Sequence, residues 1–180
     1  RVNELKNLPN IISLFRLLSA PIIVWLIIKG LYSFSFILFV FAAISDAVDG
    51  FIARTFKAGS EVGNYIDPLA DKVLLVAVYL SLGYKGLLDE WIVILVVFRD
   101  LLIVGGVIVN NVFTDKDLLL DPLRISKVNT LFQILLIVLV LAELSFGLPA
   151  LSSIKNYLIF FVAITTSISG GAYLLRWFRD

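Results

Sequence analysis

The chain has 180 residues, of which 60% are hydrophobic and 16% are charged, with a formal net charge of +1. Its apolar content exceeds the roughly 45–50% of soluble domains and predicts a membrane protein. The sequence contains no basic run with interleaved aromatic residues, so nothing in it points to nucleic acid as a partner. The absence of cysteine and histidine excludes disulfides, thiolate or imidazole metal sites and Ser-His-Asp triads, so a bound metal should be a hard cation with oxygen ligands.

Polar breaks divide the sequence into six apolar stretches, each about as long as a bilayer core requires. They lie at residues 10–29, 34–54, 62–82, 90–111, 124–145 and 152–177. Before the first stretch, Val2, Leu5 and Leu8 at helical spacing predict a short interfacial helix, with Pro9 at the start of the span. We therefore predict an all-α, polytopic membrane protein: a single domain over residues 1–180, folded as a six-transmembrane-helix bundle with a short N-terminal interfacial helix.

An even number of spans places both termini on one side of the membrane. Most of the lysine and arginine residues lie on the side of the termini, which also carries the 54–62 loop and the 112–127 segment. The opposite side holds Lys29, Lys85 and Lys155. By the positive-inside rule, the termini and the 54–62 loop are cytoplasmic. We expect the bacterial inner membrane, with the mitochondrial inner membrane as the alternative.

Four aspartates lie at the cytoplasmic ends of the second and third stretches. Asp46 and Asp49 are three residues apart, and Asp67 and Asp71 are four apart, so each pair shares one face of its helix. A short connection would place all four at similar depth, roughly 10–15 Å from the helix ends by the 1.5 Å rise. Gly63 lies one turn before Asp67 and would leave a hollow beside the carboxylates.

Burying these acids in a membrane requires compensation. Each costs about 2.5–3.5 kcal/mol on insertion scales, so four together cost on the order of 10 kcal/mol. Arg54 and Lys72 are too few and badly placed to neutralise them. Two divalent cations would do so, and such a pair is used for displacement at phosphorus. The alternatives are a solvated acidic loop and a divalent-cation channel or transporter lined by acids.

The segment SDAVDGFIARTFKAGSEVGNYIDPLADK, residues 45–72, contains the pattern D-x2-D-G-x2-A-R-x8-G-x3-D-x3-D without a gap. This pattern resembles the signature of the CDP-alcohol phosphotransferases. The resemblance implies a six-helix membrane bundle, a homodimer, and a cytoplasm-facing cavity that binds two Mg²⁺ or Mn²⁺ ions and a CDP-linked substrate. It also implies that four aspartates bind the metals: Asp46, Asp49, Asp67 and Asp71. Asp71 would in addition act as the general base. Four further positions would contact or make room for the cytidine diphosphate: Gly50, Ala53, Arg54 and Gly63.

Other stretches bear on the acceptor alcohol. Four stretches resemble the eukaryotic-type cardiolipin synthases within this family: NLPNIISLFR, DPLADKVLLVAVYLSLGY, FRD at 98–100 and RISKVNT. Phosphatidylglycerophosphate synthases tend to carry Arg-Glu at the positions of Arg99 and Asp100, and a Gly-Lys-x-Lys-Thr pattern at 126–130. The resemblance therefore favours a phosphatidyl transfer from CDP-diacylglycerol to phosphatidylglycerol, giving cardiolipin and CMP. The alternative acceptor is glycerol 3-phosphate, giving phosphatidylglycerophosphate.

Several polar residues are candidates for holding the acceptor. Arg16, Arg99 and Lys127 lie within or beside apolar spans, where an unpaired cation is costly, so they are expected to face the cavity and bind the acceptor phosphate. Asn129 is a candidate hydrogen-bond partner. Two alternatives remain: Arg99 could pair with Asp100 as a structural bridge, and the amide of Asn129 could link helices.

Overall fold

The computed structural model describes the backbone of residues 2–56, 61–113 and 124–177, and the side chains of residues 14–45, 71–106 and 125–175. In this part of the chain the backbone is helical apart from short connections, and it forms no strand. The helices are α1 (Val2–Ile28), α2 (Tyr32–Phe56), α3 (Glu61–Tyr84), α4 (Glu90–Phe113), α5 (Arg124–Phe146) and α6 (Ala150–Trp177). The all-α prediction is confirmed, and each predicted apolar stretch corresponds to one helix.

The N-terminal segment differs from the expectation. The structure has one continuous helix from Val2 to Ile28, so the predicted interfacial helix is not separated from the first span at Pro9. A proline removes one backbone hydrogen bond, but it does not end a helix whose remaining turns are intact. The segment that was predicted to be a separate interfacial helix therefore forms the first two turns of α1.

Glycines end the odd-numbered helices. Gly30 and Gly86 adopt φ angles of 76° and 67°, in the left-handed region that residues with a Cβ rarely occupy. At the first of these turns, the Gly30 N–H bonds the Ile27 carbonyl at 3.0 Å and the Leu31 N–H bonds the Leu26 carbonyl at 2.9 Å. This is the Schellman arrangement, which lets the chain reverse within a few residues. The next helix then packs antiparallel to the one before it.

The helices pack around an apolar core. In the part of the chain that the structure describes, α1 packs against α2 and α3, α4 packs against α3 and α6, and α5 packs against α2, α3 and α6. Fully buried side chains from several helices fill the centre, among them Ile23, Phe39, Tyr79, Ile92 and Leu136. Because α1 and α4 lie on different sides of α3, one turn of α3 can present two functional side chains to two different neighbours.

The outer surface of the bundle is also apolar. Phe34, Ile94 and Phe160 are 64%, 66% and 65% exposed, and many other large hydrophobic side chains are more than a third exposed. Exposed apolar surface on this scale is unfavourable in water and marks contact with a membrane or with another protein. Within the described residues, two helical segments are long and apolar enough to cross a bilayer, Ile125–Phe146 and Ala150–Leu175, while shorter apolar segments cover Leu14–Ile28 and Tyr32–Ser45.

Candidate active site

The acidic motif falls on two helices. The C-terminal part of α2 carries five residues of the motif: Asp46, Asp49, Gly50, Ala53 and Arg54. The N-terminal half of α3 carries the other three: Gly63, Asp67 and Asp71. Of these eight residues, Asp71 alone belongs to the part of the chain whose side chains the structure describes. The expected convergence of the other three aspartates, and the nucleotide contacts of Gly50, Ala53, Arg54 and Gly63, lie outside that part.

Asp71 is held by a buried cation from α1. Its carboxylate forms an ion pair with the guanidinium of Arg16. The Arg16 side chain is 2% exposed and that of Asp71 is 32% exposed. Asp71 therefore faces the interface between α1 and α3 and keeps a surface open to a ligand. Arg16, expected from sequence to hold the acceptor phosphate, lies beside the proposed base.

The residue after Asp71 points to another neighbour. Lys72 Nζ donates to Asp100 Oδ1 on α4 at 2.9 Å. The same oxygen accepts a hydrogen bond from Arg99 Nη1 at 2.6 Å. The Arg99 and Asp100 side chains are fully buried, whereas Lys72 is slightly exposed. One carboxylate thus binds two cations in the interior, so among the described side chains this group carries an excess positive charge.

Arg99 also links α4 to the last two helices. Its Nη2 donates to Ser126 Oγ on α5 and to Ser169 Oγ on α6, both at 2.6 Å, and its Nε donates to Ser169 Oγ at 3.2 Å. Gly170 lies against its aliphatic part, where an added Cβ would sit 3.5 Å from Arg99 Cγ. Arg99 therefore forms the structural bridge that the sequence left as its alternative role, and its guanidinium is occupied by protein groups on three sides.

A second polar group joins α5 and α6. Asn129 Oδ1 accepts hydrogen bonds from Thr165 Oγ1 at 2.7 Å and Thr166 Oγ1 at 2.9 Å, and all three side chains are buried. In the described part of the chain, Asn129 Nδ2 has no hydrogen-bond partner. Lys127, two residues earlier, is exposed. The four candidate acceptor residues thus occupy different environments: Arg16 beside Asp71, Arg99 and Asn129 inside polar networks, and Lys127 on the surface.

The chemistry of the donor set fits a hard divalent cation. Asp71 offers carboxylate oxygens, and the chain contains no softer histidine or cysteine ligand. Within the described side chains no three candidate ligands come together. Asp46, Asp49 and Asp67 lie outside that part of the chain. A divalent ion at Asp71 would have to share the carboxylate with Arg16 or displace it.

Sequence reasoning missed the partners of these charges. Lys72 was considered only as a poor counter-ion for the acids, and the role of Ser126 and Ser169 was not foreseen. The sequence did indicate that such partners exist. Lys72 and Arg99 are cations within apolar stretches, so each needs an acidic or polar partner inside the protein. The sequence does not say which acid on which helix supplies it.

Comparison with known proteins places the chain in a family. A model of the CDP-alcohol phosphatidyltransferases matches residues 6–168. The chain belongs to this family. The matched residues include most of α1 and α6, all of the four helices between them and the whole acidic motif. Asp71, Arg16 and the Lys72–Asp100–Arg99 group therefore lie inside the CDP-alcohol phosphatidyltransferase domain.

Relatives named as phosphatidyltransferases of glycerol 3-phosphate and relatives named as cardiolipin synthases are both similar to this chain. The chain is 37% identical over 187 residues to CDP-diacylglycerol-glycerol-3-phosphate 3-phosphatidyltransferase 1, chloroplastic, of Oryza sativa, covering 95% of this chain and 57% of that protein. It is 33% identical over 182 residues to the cardiolipin synthase (CMP-forming) of Homo sapiens, covering 93% of this chain and 60% of that protein. The CDP-diacylglycerol-glycerol-3-phosphate 3-phosphatidyltransferase of Aquifex aeolicus is 32% identical over 177 residues, with 96% of this chain and 97% of that protein covered. The chain thus spans little more than half of the rice and human proteins and nearly all of the bacterial one.

Proposed function

We propose that this CDP-alcohol phosphatidyltransferase transfers a phosphatidyl group from CDP-diacylglycerol to an alcohol and releases CMP. The observation that carries the proposal is the gapless acidic motif on α2 and α3, whose last member, Asp71, is paired with a buried arginine between α1 and α3. The names of the relatives support the same reaction class. A carboxylate that is both held in place and partly exposed is suited to accept a proton from a bound alcohol.

In this proposal four aspartates hold two divalent cations, Mg²⁺ or Mn²⁺: Asp46, Asp49, Asp67 and Asp71. The donors fit because they are hard oxygen ligands on consecutive turns of two helices. When bound, the cations supply charge neutralisation at the pyrophosphate and at the departing CMP. Charge compensation is a second reason to expect them, because unneutralised aspartates in a membrane are costly.

The protein residues have separate roles in the transfer. Arg54 forks onto phosphate oxygens of the nucleotide, while Gly50, Ala53 and Gly63 leave room for the nucleotide to approach the helices. The hydroxyl oxygen of the acceptor then forms a new bond to the phosphorus that carries diacylglycerol. The bond from that phosphorus to the CMP oxygen breaks, and Asp71 takes the hydroxyl proton.

The acceptor we propose is phosphatidylglycerol, which gives cardiolipin. The subfamily stretches, including the Arg99-Asp100 pair, favour it, and one group of relatives is named for this product. The second candidate is glycerol 3-phosphate, which gives phosphatidylglycerophosphate. It is favoured by the nearly full-length match to the Aquifex aeolicus protein. Either acceptor carries a phosphate for Arg16 to bind, with Lys127 and Asn129 as further candidate contacts and Arg99 acting through its network.

The helices are proposed to form six transmembrane spans, with the termini and the catalytic cavity on the cytoplasmic side and a homodimer as the assembly. Two apolar helical segments of spanning length and the exposed apolar faces of the others support the embedding. The distribution of lysine and arginine supports the orientation. The membrane would be the bacterial inner membrane, with the mitochondrial inner membrane as the alternative.

The test is a product assay on the purified protein. It is incubated with Mg²⁺, CDP-diacylglycerol and either phosphatidylglycerol or glycerol 3-phosphate, and CMP and the lipid product are identified by mass spectrometry. CMP together with cardiolipin supports the proposal, and CMP together with phosphatidylglycerophosphate supports the second acceptor. Absence of CMP with both alcohols, together with metal flux into vesicles that contain the protein, would establish a cation transporter instead.

A further inference from the structure

Asp71 and Lys72 are consecutive on α3 and form ion pairs with different helices. Asp71 pairs with Arg16 on α1, and Lys72 pairs with Asp100 on α4. We propose that Lys72 is a positioning residue: its ion pair with Asp100 fixes the rotation of α3 about its own axis and thereby aims the carboxylate of Asp71 at the reacting alcohol. The proposal rests on the phosphatidyl transfer proposed above.

The geometry of a helix makes one such anchor effective. Successive residues of an α-helix are about 100° apart around the axis, so the Asp71 and Lys72 side chains leave α3 in different directions at nearly the same height. A carboxylate lies roughly 6 Å from the helix axis, taking the 2.3 Å Cα radius and the length of the side chain together. A rotation of about 10° therefore moves Asp71 by roughly 1 Å. A displacement of that size can cost about 100-fold in rate.

The partner of Lys72 is itself rigidly held. Asp100 Oδ1 lies 2.6 Å from Arg99 Nη1, and Arg99 is bonded in turn to Ser126 on α5 and Ser169 on α6. Gly170 lies beside the stem of Arg99, where an added Cβ would be 3.5 Å from its Cγ. Lys72 is thus bonded to a polar network that joins α4, α5 and α6. Because this network is held by three helices, its bond to Lys72 can keep α3 in one orientation. A flexible acid on the surface could not do so.

Stability alone does not explain the arrangement well. Buried ion pairs offset their attraction by the cost of removing both charges from water, so they are weak stabilisers. Among the described side chains, the group also contains two cations, Lys72 and Arg99, and one carboxylate, Asp100, so its charges are not balanced. Removing the charge of Lys72 would leave a neutral Arg99–Asp100 pair, still bonded to Ser126 and Ser169. We therefore expect the protein to fold without Lys72.

The experiment compares Lys72→Met with Lys155→Met, a matched control. Lys155 Nζ lies 2.8 Å from Glu143 Oε2, and its side chain is 21% exposed compared with 16% for Lys72, but it links α5 to α6 at the far end of the bundle. Both variants are purified in detergent beside wild type and Lys72→Arg. The readouts are kcat and KM for CDP-diacylglycerol, the affinity for Mn²⁺ by electron paramagnetic resonance, and the thermal midpoint.

For Lys72→Met we expect kcat to fall by about tenfold or more while KM changes by less than about threefold, because the substrate still binds but Asp71 is misaligned. Mn²⁺ affinity should weaken, Lys72→Arg should recover part of kcat, and Lys155→Met should behave as wild type. Turnover and Mn²⁺ affinity of Lys72→Met within twofold of those of Lys155→Met would overturn the proposal. If Lys72→Met does not fold, Lys72→Gln replaces it, with the same expected and contrary results.

The two proposals fail in different ways. If the wild-type protein released no CMP with any alcohol, the proposed function would be wrong. The Mn²⁺ affinity of the Lys72 variants would then still test whether Lys72 fixes the position of Asp71. If wild type is active and both readouts are insensitive to Lys72, only the positioning role is wrong.

Discussion

The ion pair between Arg16 and Asp71 makes an unusual prediction for metal binding. Arg16→Gln removes a guanidinium that is 2% exposed and leaves Asp71, which is 32% exposed, without its cation. Two charges about 4 Å apart interact by about 4 kcal/mol at an effective dielectric constant of 20. Because Asp71 is a third exposed, water screens part of this attraction, and we take about 1–2 kcal/mol as the net effect. A divalent ion no longer has to compete with Arg16, so its affinity should rise by about 5–30-fold.

The assay is a Mn²⁺ titration of purified protein followed by electron paramagnetic resonance, with Mg²⁺ competition as a second measure. Lys155→Gln serves as the control, because it removes a cation paired with Glu143 away from Asp71. Turnover of Arg16→Gln should fall even though metal binding strengthens, since Arg16 is also proposed to bind the acceptor phosphate. Weaker Mn²⁺ binding in Arg16→Gln than in the control would refute the reasoning, because Arg16 would then support the metal site.

Three other predictions concern residues with distinct environments. Asp71→Asn should keep the fold and much of the metal binding but lose about 10²–10⁴-fold in kcat for CMP release, since an amide cannot accept the proton; CMP release at the normal rate would show that another group is the base. Asn129→Leu should lower the free energy of unfolding by about 1–3 kcal/mol in a denaturation assay, because Thr165 also bonds its own helix whereas the buried Thr166 hydroxyl loses its bond to Asn129. A loss above about 4 kcal/mol would contradict this. Lys127→Gln should raise KM for an acceptor with a phosphate and leave KM for CDP-diacylglycerol unchanged, and an unchanged acceptor KM would remove this exposed residue from the acceptor site.

Much of the fold was predictable from hydropathy. Apolar stretches near 20 residues long, separated by polar breaks, predicted six helices, and the observed helices match them in order and position. Gly30 and Gly86 mark tight turns because few other residues tolerate their φ angles. The N-terminal boundary was wrong, since Pro9 was taken as the start of a new helix but lies inside α1. A proline signals a boundary without deciding it, because the surrounding turns determine whether the helix continues.

The candidate site was only partly predictable. The spacing of Asp67 and Asp71 assigned them to one helix face, which is a local property of the sequence. Which helix that face meets depends on the rotation and packing of the whole bundle. Lys72 was therefore expected to be a poorly placed counter-ion, and its bond to Asp100 emerged only from the structure. The same packing explains why Arg99 is engaged by two serines that are distant in the sequence.

The central claim is that aspartates of α2 and α3 hold two divalent ions that the transfer requires. The most direct measurement is the number of Mn²⁺ ions bound per chain by the purified protein, counted in wild type and in Asp67→Asn. We predict two ions in wild type and one or none in Asp67→Asn, with CMP release lost in parallel. Wild-type protein that binds no Mn²⁺ and still releases CMP from CDP-diacylglycerol would contradict the account.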